Sequence, residues 1–134
     1  MYAVEVRDHI MIAHSFKGEL FGPARQMHGA TLIVDVALFR ETLTKDNVVV
    51  DIGRAHDALK AVLGPLNYQN LDAVPAFTGV ETTTEFLARH IFDAMAAAAR
   101  RGDLGPGGEG VSQIRVTLHE SHLARAWFEG PVAA

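Results

Sequence analysis

Seven histidines are the side chains of this sequence best suited to holding a metal or moving a proton near neutral pH: His9, His14, His28, His56, His90, His119 and His122. His56 and His90 fall in segments with helical spacing, where a surface or half-buried histidine is ordinary. His14 and His28 stand apart. Each lies where an expected strand meets the loop between two strands, so antiparallel pairing would bring the two imidazoles together. Neutral imidazole is a common zinc ligand, and such a pair supplies two of the three protein ligands of an open catalytic site. On spacing alone, two strand-end histidines with no metal remain the plainer alternative.

The elements that must position these residues follow from periodicity and breakers. Residues 2–16, with Val4, Val6 and Ile10-Met11-Ile12-Ala13, suggest a strand. Lys17-Gly18-Glu19-Leu20-Phe21-Gly22-Pro23 breaks it, and β-type composition resumes at Thr31 to Phe39, which predicts a long hairpin of residues 2–16 and 29–40. Val48-Val49-Val50-Asp51-Ile52 predicts a short strand, and Ala55, Leu59, Val62 and Leu63 predict a first helix that ends at Gly64-Pro65. Leu66 to Val80 reads as irregular. A second helix starts at Thr82-Thr83-Thr84-Glu85, which holds the Thr-x-x-Glu of a capping box, and ends at Arg100-Arg101-Gly102. After a flexible connection from Gly102 to Gly110, residues 112–120 and 123–129 alternate as a second hairpin. This order predicts an α+β domain, an antiparallel sheet with two helices on one face, as a single domain over residues 1–134.

Composition narrows the classes of function. With 12 basic and 16 acidic residues the net charge is −4, and no basic run marks a duplex nucleic-acid binder. The 134 residues include no cysteine, which removes disulfides, thiolate metal sites and a cysteine nucleophile, and predicts a cytoplasmic protein. No apolar stretch is long enough to span a membrane, and the first residues lack the order of a signal peptide, so the expectation is a mature chain with a small-molecule partner.

The ordered set Ile12-Ala13-His14, a loop, His28-Gly29, Asp51, Leu66 to Leu71, Thr83 to Ala88 and Val116 to Glu120 resembles the 6-pyruvoyl-tetrahydropterin synthase and 6-carboxytetrahydropterin synthase family over nearly the whole chain. The resemblance implies the tunnelling fold, a ββααββ unit whose sheets join into an oligomeric barrel with active sites between subunits. It further implies a homo-hexamer, zinc as cofactor, and a dihydropterin such as dihydroneopterin triphosphate as substrate class.

Carried over residue by residue, the resemblance makes His14 and His28 metal ligands, but the family's His-Gly-His reads His28-Gly29-Ala30 here. The family's cysteine corresponds to Ala24, and its Leu-Asp-His triplet to Leu66-Asn67-Tyr68. Tyr68 is then the remaining acid–base candidate, although a phenol with an ordinary pKa near 10 is a poor base at neutral pH. Glu120 matches the glutamate that grips the amino-pyrimidinone edge of a pterin, two carboxylate oxygens meeting two N–H donors. Thr83, Thr84 and Glu85 match a segment that lines the pterin pocket, beside their capping role. Arg25, in a loop next to the metal, is a candidate for a phosphate or carboxylate, or simply faces water. For the third metal ligand His122 has the same strand parity as Glu120 if the strand continues, with His9, Glu19 or water as alternatives. The losses leave three readings: a zinc-dependent lyase or synthase with altered acid–base residues, a non-catalytic pterin- or purine-binding homologue, and a barrel with a vestigial pocket.

Overall fold

The computed structural model describes residues 1–134. Alternating side chains build two long strands, β1 (Tyr2–His14) and β2 (His28–Arg40), which pair antiparallel from Tyr2 opposite Arg40 to His14 opposite His28. Because successive residues point to opposite faces, Val6, Ile10 and Ile12 of β1 and Leu32, Val34, Val36 and Leu38 of β2 share one buried face. That face is covered by helices. Helix α1 (Ile52–Leu63) starts at Asp51, whose carboxylate accepts the Arg54 N–H at 3.2 Å, and buries Ala55, Ala58, Leu59 and Leu63. A two-residue strand, β3 (Gln69–Asn70), precedes helix α2 (Thr84–Arg100), which buries Leu87, Ala88, Ile91, Met95 and Ala99. Strands β4 (Gln113–His119) and β5 (Arg125–Pro131) complete the sheet, adding Ile114, Val116 and Leu118 to a continuous core of 29 buried residues.

The sheet has five strands in the order β3-β1-β2-β4-β5, antiparallel except that β3 runs parallel to β1. The architecture is α+β, with both helices on one face, as the element order predicts. Four details differ. Val48 to Ile52 is not a strand: Thr44 and Val48 close a tight turn, Val49 and Val50 plug the core, and Asp51 caps α1. β-branched residues there serve burial rather than pairing. The short strand falls instead at Gln69–Asn70, inside the stretch expected to be irregular, because Tyr68 N–H bonds to the Met11 carbonyl at 2.7 Å and lays the chain along β1. Helix α2 is capped by Thr83, whose hydroxyl accepts the Phe86 N–H at 3.1 Å, so the box starting at Thr82 does not form. Finally, β4 stops at His119 and β5 begins at Arg125, two residues later than expected, with a turn between them.

The glycine-rich connection of residues 102–110 packs tightly rather than hanging free. Leu104 is fully buried, and the Arg40 guanidinium donates to the Gly107 carbonyl. Gly110 passes so close to Arg40 that a Cβ there would lie 2.0 Å from its Nη1, so any larger residue would have to displace the guanidinium.

Candidate functional site

The end of the first hairpin places His14 directly opposite His28, with ring centroids 4.6 Å apart. Directly opposed residues of an antiparallel pair share a face, here the face that carries the core. His28 is half-buried, and its Nδ1 donates to the Gln26 carbonyl at 2.8 Å. A carbonyl only accepts, so Nδ1 carries the proton and the neutral ring keeps its lone pair on Nε2. His14 is 6% exposed, and its Nδ1 lies 3.0 Å from the Thr82 hydroxyl oxygen. Burial pushes the His14 pKa below the ordinary histidine value, and the neighbouring His28 pushes the same way. Phe16 packs on both rings, at 4.6 Å from His14 and 5.8 Å from His28, and Phe21 packs on Phe16 at 4.5 Å.

Two carboxylates pin the chain as it leaves His14. Asp72 accepts the Ser15 N–H and hydroxyl, and Glu81 accepts the N–H groups of Lys17 and Gly18 at 3.0 and 2.9 Å. Burial opposes ionisation of Asp72, but the two Ser15 hydrogen bonds together with the nearby Lys17 and His14 outweigh it and hold its carboxyl below the usual range. The Gly18 and Lys17 N–H groups lower Glu81 in the same sense. Thr82, Asp72 and Glu81 therefore define the surroundings of the histidine pair, and nothing in the sequence marks any of them as a site residue. Their signal is weak: Thr82 is the first of three threonines before a helix and invites assignment as a cap.

The two imidazoles are a chemically suitable but incomplete donor set for zinc. Open sites use three protein ligands, yet no group of three or more His, Cys, Asp or Glu side chains close enough to hold a metal ion is present. Ala30 shares a face with His28 and sits opposite Ile12, offering only a methyl group. Within one chain, His122 is not brought beside the pair. The strand parity that would aim it at the site ends with β4 at His119, and His122 is exposed in the turn that follows. His9 lies at an odd offset from His14, on the other face, and Glu19 is exposed.

The remaining candidates spread around this end of the sheet. Glu120 directly follows β4, where His119 is opposite Ile33, and it is exposed. It stands one residue beyond the end of β4, where its N–H bonds to the Ala124 carbonyl at 3.1 Å. Thr83 caps α2, while the Thr84 hydroxyl donates to Glu85 at 3.0 Å, so Glu85 does not reach back to the cap. Arg25 ends a 3-10 segment, Glu19–Arg25, and is exposed. Tyr68 has φ of 60°, a left-handed backbone that a bulky residue rarely adopts, and its side chain stands 76% exposed beside Met11. Within one chain, His14 and His28 meet each other, and Thr84 meets Glu85.

A separate ionic cluster occupies the helix-free face of the sheet. Asp35, 5% exposed, accepts two hydrogen bonds from Arg7, at 2.6 and 2.9 Å, and lies 2.7 Å from His119 Nε2. The Arg7 hydrogen bond is the main cause that holds the Asp35 carboxyl below the usual range.

A half-built imidazole site at the end of a β-hairpin, in a mixed sheet covered by two helices, defines the chain as an α+β protein of the tunnelling fold. It belongs to the 6-pyruvoyl tetrahydropterin synthase family, whose sequence pattern matches residues 3–131. No curated protein matches the chain in sequence. Among solved structures it is similar to the 6-pyruvoyl tetrahydropterin synthase of Caenorhabditis elegans, with 20% identity, 96% of this chain and 95% of that one covered, and a TM-score of 0.79. The corresponding Plasmodium falciparum enzyme gives 13% identity, 96% and 98% coverage, and a TM-score of 0.73. That of Plasmodium vivax gives 14% identity, 98% and 99% coverage, and a TM-score of 0.71.

Proposed function

We propose that this chain is a zinc-dependent lyase- or synthase-like protein that acts on or binds a dihydropterin of the dihydroneopterin triphosphate type, as a single domain over residues 1–134 in a cytoplasmic homo-hexamer. The observation that carries the reading is His14 opposite His28, two imidazoles in contact on the core face at the end of the sheet. His14 and His28 would hold the metal, with solvent where Ala30 leaves a gap, and a bound zinc would supply Lewis-acid polarisation of a substrate oxygen. Glu120 accepts two N–H donors from the amino-pyrimidinone edge. Thr83, Thr84 and Glu85 line the pocket, Arg25 meets the phosphate end, and Tyr68 offers a phenol.

Loss of the family's proton carriers favours a second reading, a non-catalytic pterin- or purine-binding homologue. Ala24 has no acid–base group, and the Asn67 side chain is already engaged in accepting the Met11 N–H at 3.0 Å. Metal analysis of protein purified with zinc present, followed by calorimetric titration with pterins and purines, separates these. Zinc together with turnover of dihydroneopterin triphosphate supports the first; ligand binding without turnover supports the second. Absence of both overturns the proposal. The open outer edge of β1, paired with β3 only at Ile12 and Ala13, and the outer edge of β5 support the oligomer, since unpaired edges seek a partner.

A further inference from the structure

Asp35 lies on the face of the sheet that carries no helix, and Arg7 keeps its carboxylate ionised, so that it can only accept hydrogen bonds. Its two oxygens take three donors, Arg7 Nε and Nη2 at 2.6 and 2.9 Å and His119 Nε2 at 2.7 Å. His119 therefore carries a proton on Nε2, and Nδ1 is its open atom. Strand pairing sets what stands around that atom. His119 is opposite Arg125 and Thr117 is opposite Trp127, and alternation puts all four on the face of Asp35. Together they line one cleft of about 290 Å³. Thr117 is 8% exposed and the His119 side chain 16%, yet neither the Thr117 hydroxyl nor His119 Nδ1 has a hydrogen-bond partner in the chain. No polar side-chain atom is both sealed from solvent and unpaired, so both atoms open into the cleft.

The charges of the cleft leave one cation free. Arg7 is engaged by Asp35, and Arg115 by Glu129 at 2.6 Å, whereas Arg125 pairs with no carboxylate. The Asp35 charge is matched by Arg7, so the ring of His119 rather than a bare carboxylate faces the cleft. Glu5, which also lines it, stands two strands from His119 and in the row of Arg115, away from Arg125. We propose that this cleft binds an oxyanion, a phosphate or carboxylate group, held by the Thr117 hydroxyl, the Arg125 guanidinium and His119 Nδ1, with one proton shared between Nδ1 and the anion. An arginine fork fits either group in a bidentate manner. Trp127, 60% exposed beside these donors, offers a flat apolar face to the body of a small organic anion. The cleft lies on the opposite face from His14 and His28, so it stands independently of the metal proposed there.

Trp127 is the single tryptophan of the chain, so its fluorescence reports on this cleft alone. Wild-type protein, in whatever assembly it forms, is titrated with inorganic phosphate and with benzoate at constant ionic strength, by fluorescence and by calorimetry. Saturable binding should appear, and which of the two probes binds tells phosphate from carboxylate. Thr117→Val keeps the shape of the side chain and removes only the hydroxyl. That change, Arg125→Gln and His119→Phe should each weaken the binding about tenfold or more, the loss expected for a hydrogen bond to a charged group. No saturable binding of either probe by wild-type protein overturns the proposal, whether or not any variant folds. An anion whose affinity is unchanged in Thr117→Val and Arg125→Gln sits elsewhere and overturns it as well.

Discussion

At the scale of single residues, the histidine pair and Glu120 do separable work. Imidazole lone pairs serve a cation, whereas a carboxylate serves paired N–H donors. His14→Ala or His28→Ala should therefore abolish zinc retention in an elemental analysis. Glu120→Ala should leave zinc in place and weaken pterin or purine binding by about 1.5–3 kcal/mol in calorimetry, the range for a hydrogen bond to a charged group. The converse change is more informative. Ala30 shares a face with His28, so Ala30→His should supply a third imidazole and tighten zinc in a chelator competition. Unchanged affinity in that variant would show that the metal does not sit on the core face of β2. The histidine pair was legible because β pairing converts two strand-end positions into one place. The place of His122 was not legible, because its parity depended on a strand that stops at His119, before the turn of residues 120–124.

At the scale of elements, caps and carboxylate clamps carry much of the order around the site. Asp51→Ala and Thr83→Ala each remove an N-cap and should each cost about 1 kcal/mol in denaturant unfolding. The Asp72 and Glu81 clamps give a pH dependence whose sign is fixed. Both carboxyls titrate lower in the folded chain than in the unfolded chain, so their contribution is present above the unfolded value near pH 4 and is lost as pH falls through the folded values. His14 and His90 add an earlier loss. Burial lowers both, so the unfolded chain takes up protons first and stability should begin to decline as pH drops below about 6.5, visible in thermal unfolding between pH 7 and 5. The long strands and both helices could be read from periodicity of two and of three to four. Gln69–Asn70 could not, because two polar residues become a strand only through the bonds that Asn67 and Tyr68 make to Met11. Val48 to Ile52 misled for the opposite reason: its valines are buried without a strand partner.

At the scale of the whole molecule, one long side of the sheet is only partly closed. His56 Nε2 bonds to the Arg7 carbonyl at 2.8 Å, and Asn67 and Tyr68 occupy both polar groups of Met11, so the free outer edge of β1 lies chiefly before Arg7. Light scattering at micromolar concentration should show an assembly larger than a monomer, and hydrogen exchange in that assembly should protect amides of residues 2–6 and of β5 beyond what one chain explains. A monomer alone would refute the barrel. The end of β1 is also where distant parts of the sequence meet: Met11, His14 and Ser15 are held by Asn67, Thr82 and Asp72, across separations of 56, 68 and 57 residues. Contacts that close such long loops come late on a folding pathway, after the local hairpin and helices have formed. A ligand seated at His14 thus recognises only the finished molecule, and its stabilisation should appear almost wholly as slower unfolding, leaving the refolding rate as it is without ligand.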